Sequence, residues 1–430
     1  MSPKSVKLEW IGGTGEPSPA PFARARLSNG VRVLIRPNAA IPVVAVDCWI
    51  GVGAIHETDE HAGISHFLEH MFFKGTQRFP LGSMDRLVKE MGGYNNAATS
   101  MEYTHYYIVA PAEHVWKAAD LLADHLADPA LPADELVRER VVVKEEIRRK
   151  DDSPHGRLYT ALAHAAYGSS PYAREVLGTP ESLDRIDPAV MRDWWRSNYT
   201  GDRIVVAIAG DVDPEEALAE AQSRFGGLSP GAPPPPAPAP PAVEPGRIDV
   251  GMDVGQGYLV WGFAMPGRED LEALCELEVA ATILGDGETS RLHRRLIDEL
   301  RLVTDVGAWT YGLERSGLLG VSAVCGPDRR GAVEEEIAAA LDAAISHGVS
   351  PEEVRRAQTI LAADFAYDNE TNAALTGTLG EFETLFGAAE VYRDVLRGIA
   401  AVTPERVDEA LDRWIGPDRA VRAWVGPNGA

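Results

Sequence analysis

Apolar and polar positions change period several times along the chain, and the changes delimit its elements. Residues 44 to 52, VAVDCWIGV, are an almost continuous apolar run bounded by Gly51 and Gly53, which predicts a buried strand. Residues 62 to 76, AGISHFLEHMFFKGT, follow a helical period instead. Phe67, Leu68, Met71 and Phe72 point one way into a core, while His66, Glu69, His70 and Phe73 share the other face. A helix is expected from Gly82 to Met91, strands through 94 to 111, and a further helix from Asp134 to Lys150. That last helix has Asp134 as candidate N-cap and basic residues in its final turn.

The stretch 229 to 245, SPGAPPPPAPAPPAVEP, is too rich in proline to join a core and predicts a semi-rigid, extended linker. The pattern after it resembles a diverged repeat of the pattern before it. The second half has a strand near Gly257 to Phe263, helices from Arg268 to Leu284 and Ser290 to Leu300, and strands through 303 to 325. Each half closes with helices, 180 to 197 and 351 to 368, and a short strand, Arg203 to Ile208 and Ala420 to Val425. The expected class is α+β, two homologous domains each with a mixed, mostly antiparallel sheet and helices on one face. The domains fall at 1 to 228 and 246 to 430, on either side of the linker.

Polar residues on the 62 to 76 helix carry the candidate chemistry. His66 and His70 stand one turn apart and can chelate one metal ion, and zinc favours such nitrogen ligands. A catalytic zinc takes three protein ligands and a water whose pKa falls to about 7. Glu69, beside the ligands, is the base that would accept a proton from that water and pass it to the leaving amine. The order His-x-x-Glu-His is the inverted zinc motif. For the third ligand, DELVRERVVVKEEIRRK (134 to 150) offers Glu139, Glu145 and Glu146. Glu139 and Glu146 lie within about 20° of each other, on the flank carrying Val142 and Val143, whereas Glu145 falls beside Arg138 and Arg149. A carboxylate on an apolar face needs a partner. Glu146 is therefore the expected third ligand and Glu139 the carboxylate that orients a histidine.

With these residues in place the chain resembles the pitrilysin and mitochondrial processing peptidase family of zinc endopeptidases. The matching stretches are VAVDCWIGVGAIHE (44 to 57), AGISHFLEHMFFKGT (62 to 76), GGYNNAATSMEYTHYYIVAP (92 to 111) and ERVVVKEEI (139 to 147), with 76 residues between His70 and Glu146. The resemblance implies the same roles for His66, His70, Glu146 and Glu69. It also implies that Asn96, Ala97, Ala98 and Thr99 form an edge strand that pairs with substrate backbone, a mode that reads extended peptides with little regard to sequence. In the family a second half or second chain supplies an arginine and a tyrosine seven residues apart. Here LHRRLIDELRLVTDV (292 to 306) puts Ile297 and Thr304 at those places. Donors of this kind are worth about 10²- to 10³-fold in rate each.

Composition agrees with a multi-domain globular protein: 430 residues, 45% apolar and 25% charged. A formal charge of -24 speaks against nucleic acid or anionic membrane as partner. Cys48, Cys275 and Cys325 are too few and scattered for a disulfide framework. No apolar run is long enough for a membrane span. Residues 1 to 21 lack the apolar core of a signal peptide, so the expected location is cytoplasmic, or periplasmic if an export signal has been removed. His56, His61 and His105 read as loop or sheet residues, and Leu284-Gly285-Asp286-Gly287 lacks the ending of a phosphate loop.

The reading is a zinc metalloendopeptidase subunit, one Zn²⁺ per chain, that cleaves small unstructured peptides in a clamshell chamber. Its expected partner is a homologous subunit without the zinc motif that supplies the arginine and tyrosine in a heterodimer. A homodimer would need Arg291 or Tyr311 to replace them, and the remaining alternative is a non-proteolytic structural or binding core subunit.

Overall fold

The computed structural model describes residues 6–12 and 21–428. The reading of residues 1 to 21 therefore lies largely outside the described residues. Among those described, no helix is long and apolar enough to cross a membrane.

Two mixed sheets organise the chain, as expected of the α+β class. The first contains β1 (Glu9–Ile11), β2 (Phe22–Arg26), β3 (Arg32–Pro37), β4 (Val43–Ile50), β5 (Tyr94–Thr99), β6 (Thr104–Pro111) and β7 (Ile204–Gly210). Their order is β1-β2-β3-β7-β4-β6-β5, with β3 and β7 the one parallel pair. The second sheet contains β8 (Gly246–Met252), β9 (Gly257–Met265), β10 (Val303–Gly312), β11 (Gly317–Cys325) and β12 (Val421–Pro427). It runs β10-β11-β9-β12-β8, parallel only between β12 and β8.

Apart from Asp47, both faces of β4 and β7 are apolar and buried, so each face needs a cover. On one side Val44, Val46, Cys48 and Ile50 share a core with the motif helix Ile64–Phe72 and the helices Val115–Ala127 and Pro214–Phe225. On the other side the helix Asn372–Phe386 crosses β4 and β7. The second sheet repeats the arrangement. Leu259, Trp261, Phe263 and Met265 face the helices Leu271–Gly285, Arg330–His347 and Pro404–Trp414, while Pro154–Tyr167 lies on β8, β9 and β12 with Leu162 against Gly262. The expectation of helices on one face only is corrected accordingly: a strand apolar on both sides recruits helices to both.

Compactness divides the chain into two units, one of Met1–Ile147, Glu175–Pro236 and Tyr367–Arg393, the other of Arg148–Arg174, Ala237–Ala366 and Asp394–Ala430. The linker separates the two sheets in sequence, but each unit also takes a helical segment from the other half. That segment is the cover its own half does not supply. Residues 229–245 have no regular secondary structure. Their first part is tied to the first unit, where Arg203 Nε donates to the Ala232 carbonyl (3.1 Å). Their later part is tied to the second, where Ala237 N donates to Glu314 Oε2 (2.9 Å) and the Tyr172 hydroxyl to the Pro238 carbonyl (3.0 Å).

Several expected helices have different limits. Residues 180 to 197 form two, Pro180–Arg185 and Pro188–Asn198, because Pro188 has no N–H to continue the ladder and disfavours helical backbone at Asp187. Asp187 instead caps the second helix, accepting from Ala189 and Val190 N–H. Residues 290 to 300 form one short turn, Arg291–His293, continued by a wider π turn, Arg294–Glu299. Asp134 is inside the first turn of Ala133–Asp151, facing Arg138, rather than at its N-cap.

The helix over the second face of the first sheet approaches closely at one glycine. A Cβ on Gly380 would come within 2.3 Å of Trp49 Cδ1, while one on Gly377, a turn away, meets nothing within 4 Å. Gly377→Ala is therefore expected to raise stability by up to about 1 kcal/mol through helix propensity. Gly380→Ala is expected to lower it by about 1–3 kcal/mol through overpacking. Urea unfolding of the pair checks this, and gains at both positions would remove the close approach from the account.

Candidate active site

The motif helix begins at Gly63, whose φ of 88° and close approach to the Leu177 carbonyl (2.6 Å from a would-be Cβ) both require glycine. Glu57 closes its N-terminus, accepting from Gly63 N–H (2.7 Å) and Ser65 N–H (2.8 Å). A carboxylate there satisfies two orphan donors and complements the helix dipole. Phe67, Leu68, Met71 and Phe72 enter the core as the periodicity requires, and His66, Glu69 and His70 are left on the opposite side.

The helix Ala133–Asp151 brings its carboxylates to these imidazoles. Glu146 Oε2 is 3.8 Å from His66 Nε2 and 3.6 Å from His70 Nε2, and one ligand atom from each of the three residues lies within 4.8 Å of the others. Two ligands about 2.0–2.2 Å from a shared tetrahedral ion stand roughly 3.4 Å apart, so the set fits zinc. Burial, with the neighbouring His70, pushes the His66 imidazole down to about 3, so its lone pair is available at neutral pH. His66 Nδ1 is buried without a hydrogen-bond partner. His70 is held from behind: its Nδ1 donates to Glu139 Oε2 (3.1 Å), which leaves Nε2 as the acceptor. Glu139 in turn accepts from Lys74 Nζ (2.5 Å), and Lys74 also pairs with Glu135 (3.6 Å). Burial raises the Glu139 carboxyl, but the hydrogen bonds from Lys74 and His70 outweigh it and hold it below its ordinary range.

Glu69 is the third polar group on the helix. Burial raises its carboxyl above the ordinary range, and a hydrogen bond accepted from Thr99 Oγ1 (2.6 Å) opposes this. Thr99 ends β5, the outermost strand of the first sheet. Asn96, Ala97 and Ala98 precede it in the same strand, paired with β6 on one side only. Asn96 and Ala98 are exposed and alternate with the half-buried Ala97 and Thr99.

The structure thus brings together His66, His70, Glu146 and Glu139, with Glu69 tied to the edge strand. One detail of the flank differs from expectation. Val142 is 43% exposed, and the buried stripe of that helix is Leu136, Val143 and Ile147. Val142 lies about 100° from Val143, which is enough to leave the core. Sequence reasoning missed Lys74 and Glu57. Lys74 follows His70 by one turn on the polar face, and that spacing was the signal available. Ile297 packs against the second core and Thr304 is in β10, donating to the Val324 carbonyl (3.3 Å). Arg291 is engaged by Glu353 and the Gly348 carbonyl, and Arg295 by Glu299 and Glu336.

Known proteins are similar to this chain over most of its length. The model of "Insulinase (Peptidase family M16)" matches residues 32–180, and that of "Peptidase M16 inactive domain" matches 185–361. An uncharacterized zinc protease of Mycobacterium leprae is 32% identical over 95% of this chain and 92% of its own. YmxG of Bacillus subtilis, also named an uncharacterized zinc protease, is 29% identical over 94% of this chain and 98% of its own. In structure the chain is similar to a protease from Helicobacter pylori (TM-score 0.89, 23% identity, 94% of this chain and 99% of that one). A Pseudomonas fluorescens peptidase M16 inactive domain is also similar (0.88, 18%, 95% and 98%). At these identities the structural likeness speaks to the fold.

Glu139→Ala is expected to weaken zinc binding by about 10- to 100-fold, since His70 loses the carboxylate that orients it. Glu145→Ala, on the exposed side of the same helix, should change nothing. Competition with a chromophoric chelator measures both. Equal affinities for the two variants would mean that His70 needs no support.

Proposed function

The chain belongs to the M16 peptidase family, and from that premise we propose that it is a zinc metalloendopeptidase subunit acting on small unstructured peptides. The observation that carries the reading is the convergence of His66, His70 and Glu146 beside the Glu69 carboxylate. His66 Nε2, His70 Nε2 and Glu146 would hold one zinc ion, and Glu139 with Lys74 would keep His70 in the ligating tautomer. When bound, zinc supplies Lewis acidity to a water and to the scissile carbonyl. Glu69 takes the proton of the attacking water and returns it to the departing amine, and its raised pKa suits both transfers. Thr99 fixes one carboxylate oxygen and leaves the other for the water. Substrate backbone pairs with the free edge of β5 at Asn96 to Thr99, so extended peptides bind with limited regard to sequence.

The arginine and tyrosine that the family places near the zinc have no counterparts at Ile297 and Thr304. We propose that a homologous chain without the zinc motif supplies them, so that the competent enzyme is a heterodimer. A non-proteolytic core subunit would have no need of the complete ligand set kept here.

Zinc content and cleavage of an unstructured fluorogenic peptide library test both parts. Stoichiometric zinc is expected in the wild type and in Glu69→Gln, with cleavage about 10²- to 10⁴-fold lower in the variant. Turnover by the chain alone as fast as in any mixture with a partner would sink the heterodimer. Zinc-free, inert protein in every mixture would sink the peptidase reading.

A further inference from the structure

Asp47 is in the middle of β4, a strand otherwise apolar, and is 1% exposed. A carboxylate in a buried central strand is unfavourable unless something neutralises it. Its ion-pair partner is His105 of β6, directly across from the neighbouring Trp49, with Nδ1 at 3.1 and 3.3 Å from the two carboxylate oxygens. Among the described residues no lysine or arginine is within ion-pair distance of Asp47. The Trp49 ring stacks on the imidazole at 4.2 Å and Tyr107 lies over it at 5.8 Å, so the ring is held in one orientation.

Charge balance decides what this imidazole shows to solvent. The buried pair is neutral either as carboxylate with imidazolium or as carboxylic acid with imidazole. In the first both ring nitrogens carry protons. In the second the acid O–H donates a hydrogen bond to Nδ1, which accepts, and the ring proton is on Nε2. Either way Nε2–H is a donor. The alternative, a lone pair on Nε2, leaves a buried negative charge uncompensated.

The donor is placed beside the edge strand. His105 stands opposite Ala98 in the β5–β6 register. Residues 94, 96 and 98 of β5 and 105 and 107 of β6 line the open face of this pair, while Ala97 and Tyr106 face the core. A peptide on the free edge of β5 runs about 10 Å from β6, a gap that an extended side chain and the imidazole close between them. Ala98, the residue between, carries only a methyl group.

We propose that His105 is a specificity-determining residue, whose Nε2–H recognises a hydrogen-bond acceptor, Glu or Gln above all, on the substrate side chain that crosses Ala98. Asp47 is its positioning residue. The proposal rests on the peptidase reading for the peptide lying along β5.

The test is a peptide series varied at one position among Gln, Glu, Met and Lys, with kcat/KM measured in whichever assembly cleaves. Affinity of the same peptides for the Glu69→Gln variant ranks binding without turnover. Gln and Glu are expected to exceed Met by about tenfold in the wild type, the range of one hydrogen bond to a positioned donor. Comparison of Glu with Gln separates charge from simple acceptance. Because His105→Phe alone strands a buried carboxylate, the matching variant is His105→Phe with Asp47→Val, which replaces the pair by apolar groups and should fold at least as stably. It should lose the ranking in both kcat/KM and affinity. No preference in the wild type, or a preference that survives in the double variant, overturns the proposal. Absence of any cleavage with the affinity ranking intact would overturn the peptidase reading and leave the role of His105 standing.

Discussion

Burial of Phe67, Leu68, Met71 and Phe72 against the first sheet is the interaction on which the site depends. Each such side chain contributes about 1.5–3 kcal/mol when removed from water, and together they set the rotation of a nine-residue helix. Once that rotation is fixed, His66, Glu69 and His70 have one direction left. The cost of holding His66 neutral and buried is small beside four buried apolar side chains. Glu57 fixes the helix at its other variable, the start, by satisfying two N–H groups that the left-handed Gly63 leaves pointing outward.

The polar side of the helix is organised by charge compensation. Three carboxylates of one helix, Glu135, Glu139 and Glu146, come close to the His66–His70 face. Lys74 compensates two of them. That leaves Glu146 as the carboxylate whose nearby positive partner is only potential, the two imidazoles and whatever ion they share. The same logic separates Glu146 from Glu145, one residue away and turned to solvent.

Duplication shows which parts of this arrangement belong to the fold and which to chemistry. In the second sheet Glu278, on the helix Leu271–Gly285, accepts a hydrogen bond from Thr310 of the outer strand β10, as Glu69 does from Thr99 of β5. Burial raises the carboxyl of Glu278 as it raises that of Glu69. The imidazole positions around it are Cys275 and Val279, so no ligand pair exists there. A carboxylate–threonine tie between first helix and edge strand is thus compatible with a half that binds no metal, and the two histidines with Glu146 make the difference.

Local periodicity in the sequence was enough to determine the motif helix, the polar stripe on it, the seven-residue relation of Glu139 to Glu146, and the apolar strands of both sheets. Each is decided within one or two helical turns or one strand, where side-chain direction follows from residue number. What covered the second face of each sheet was decided only by the tertiary structure. β4 and β7 show that both faces are apolar, but nothing local says that the cover is a helix some 160 residues beyond β7, with Gly380 against Trp49. Lys74 meeting Glu135 and Glu139, and Asp47 meeting His105, likewise depend on which elements become neighbours. A charge in the sequence states a need for compensation; its partner is chosen by long-range packing, which no short window of residues contains.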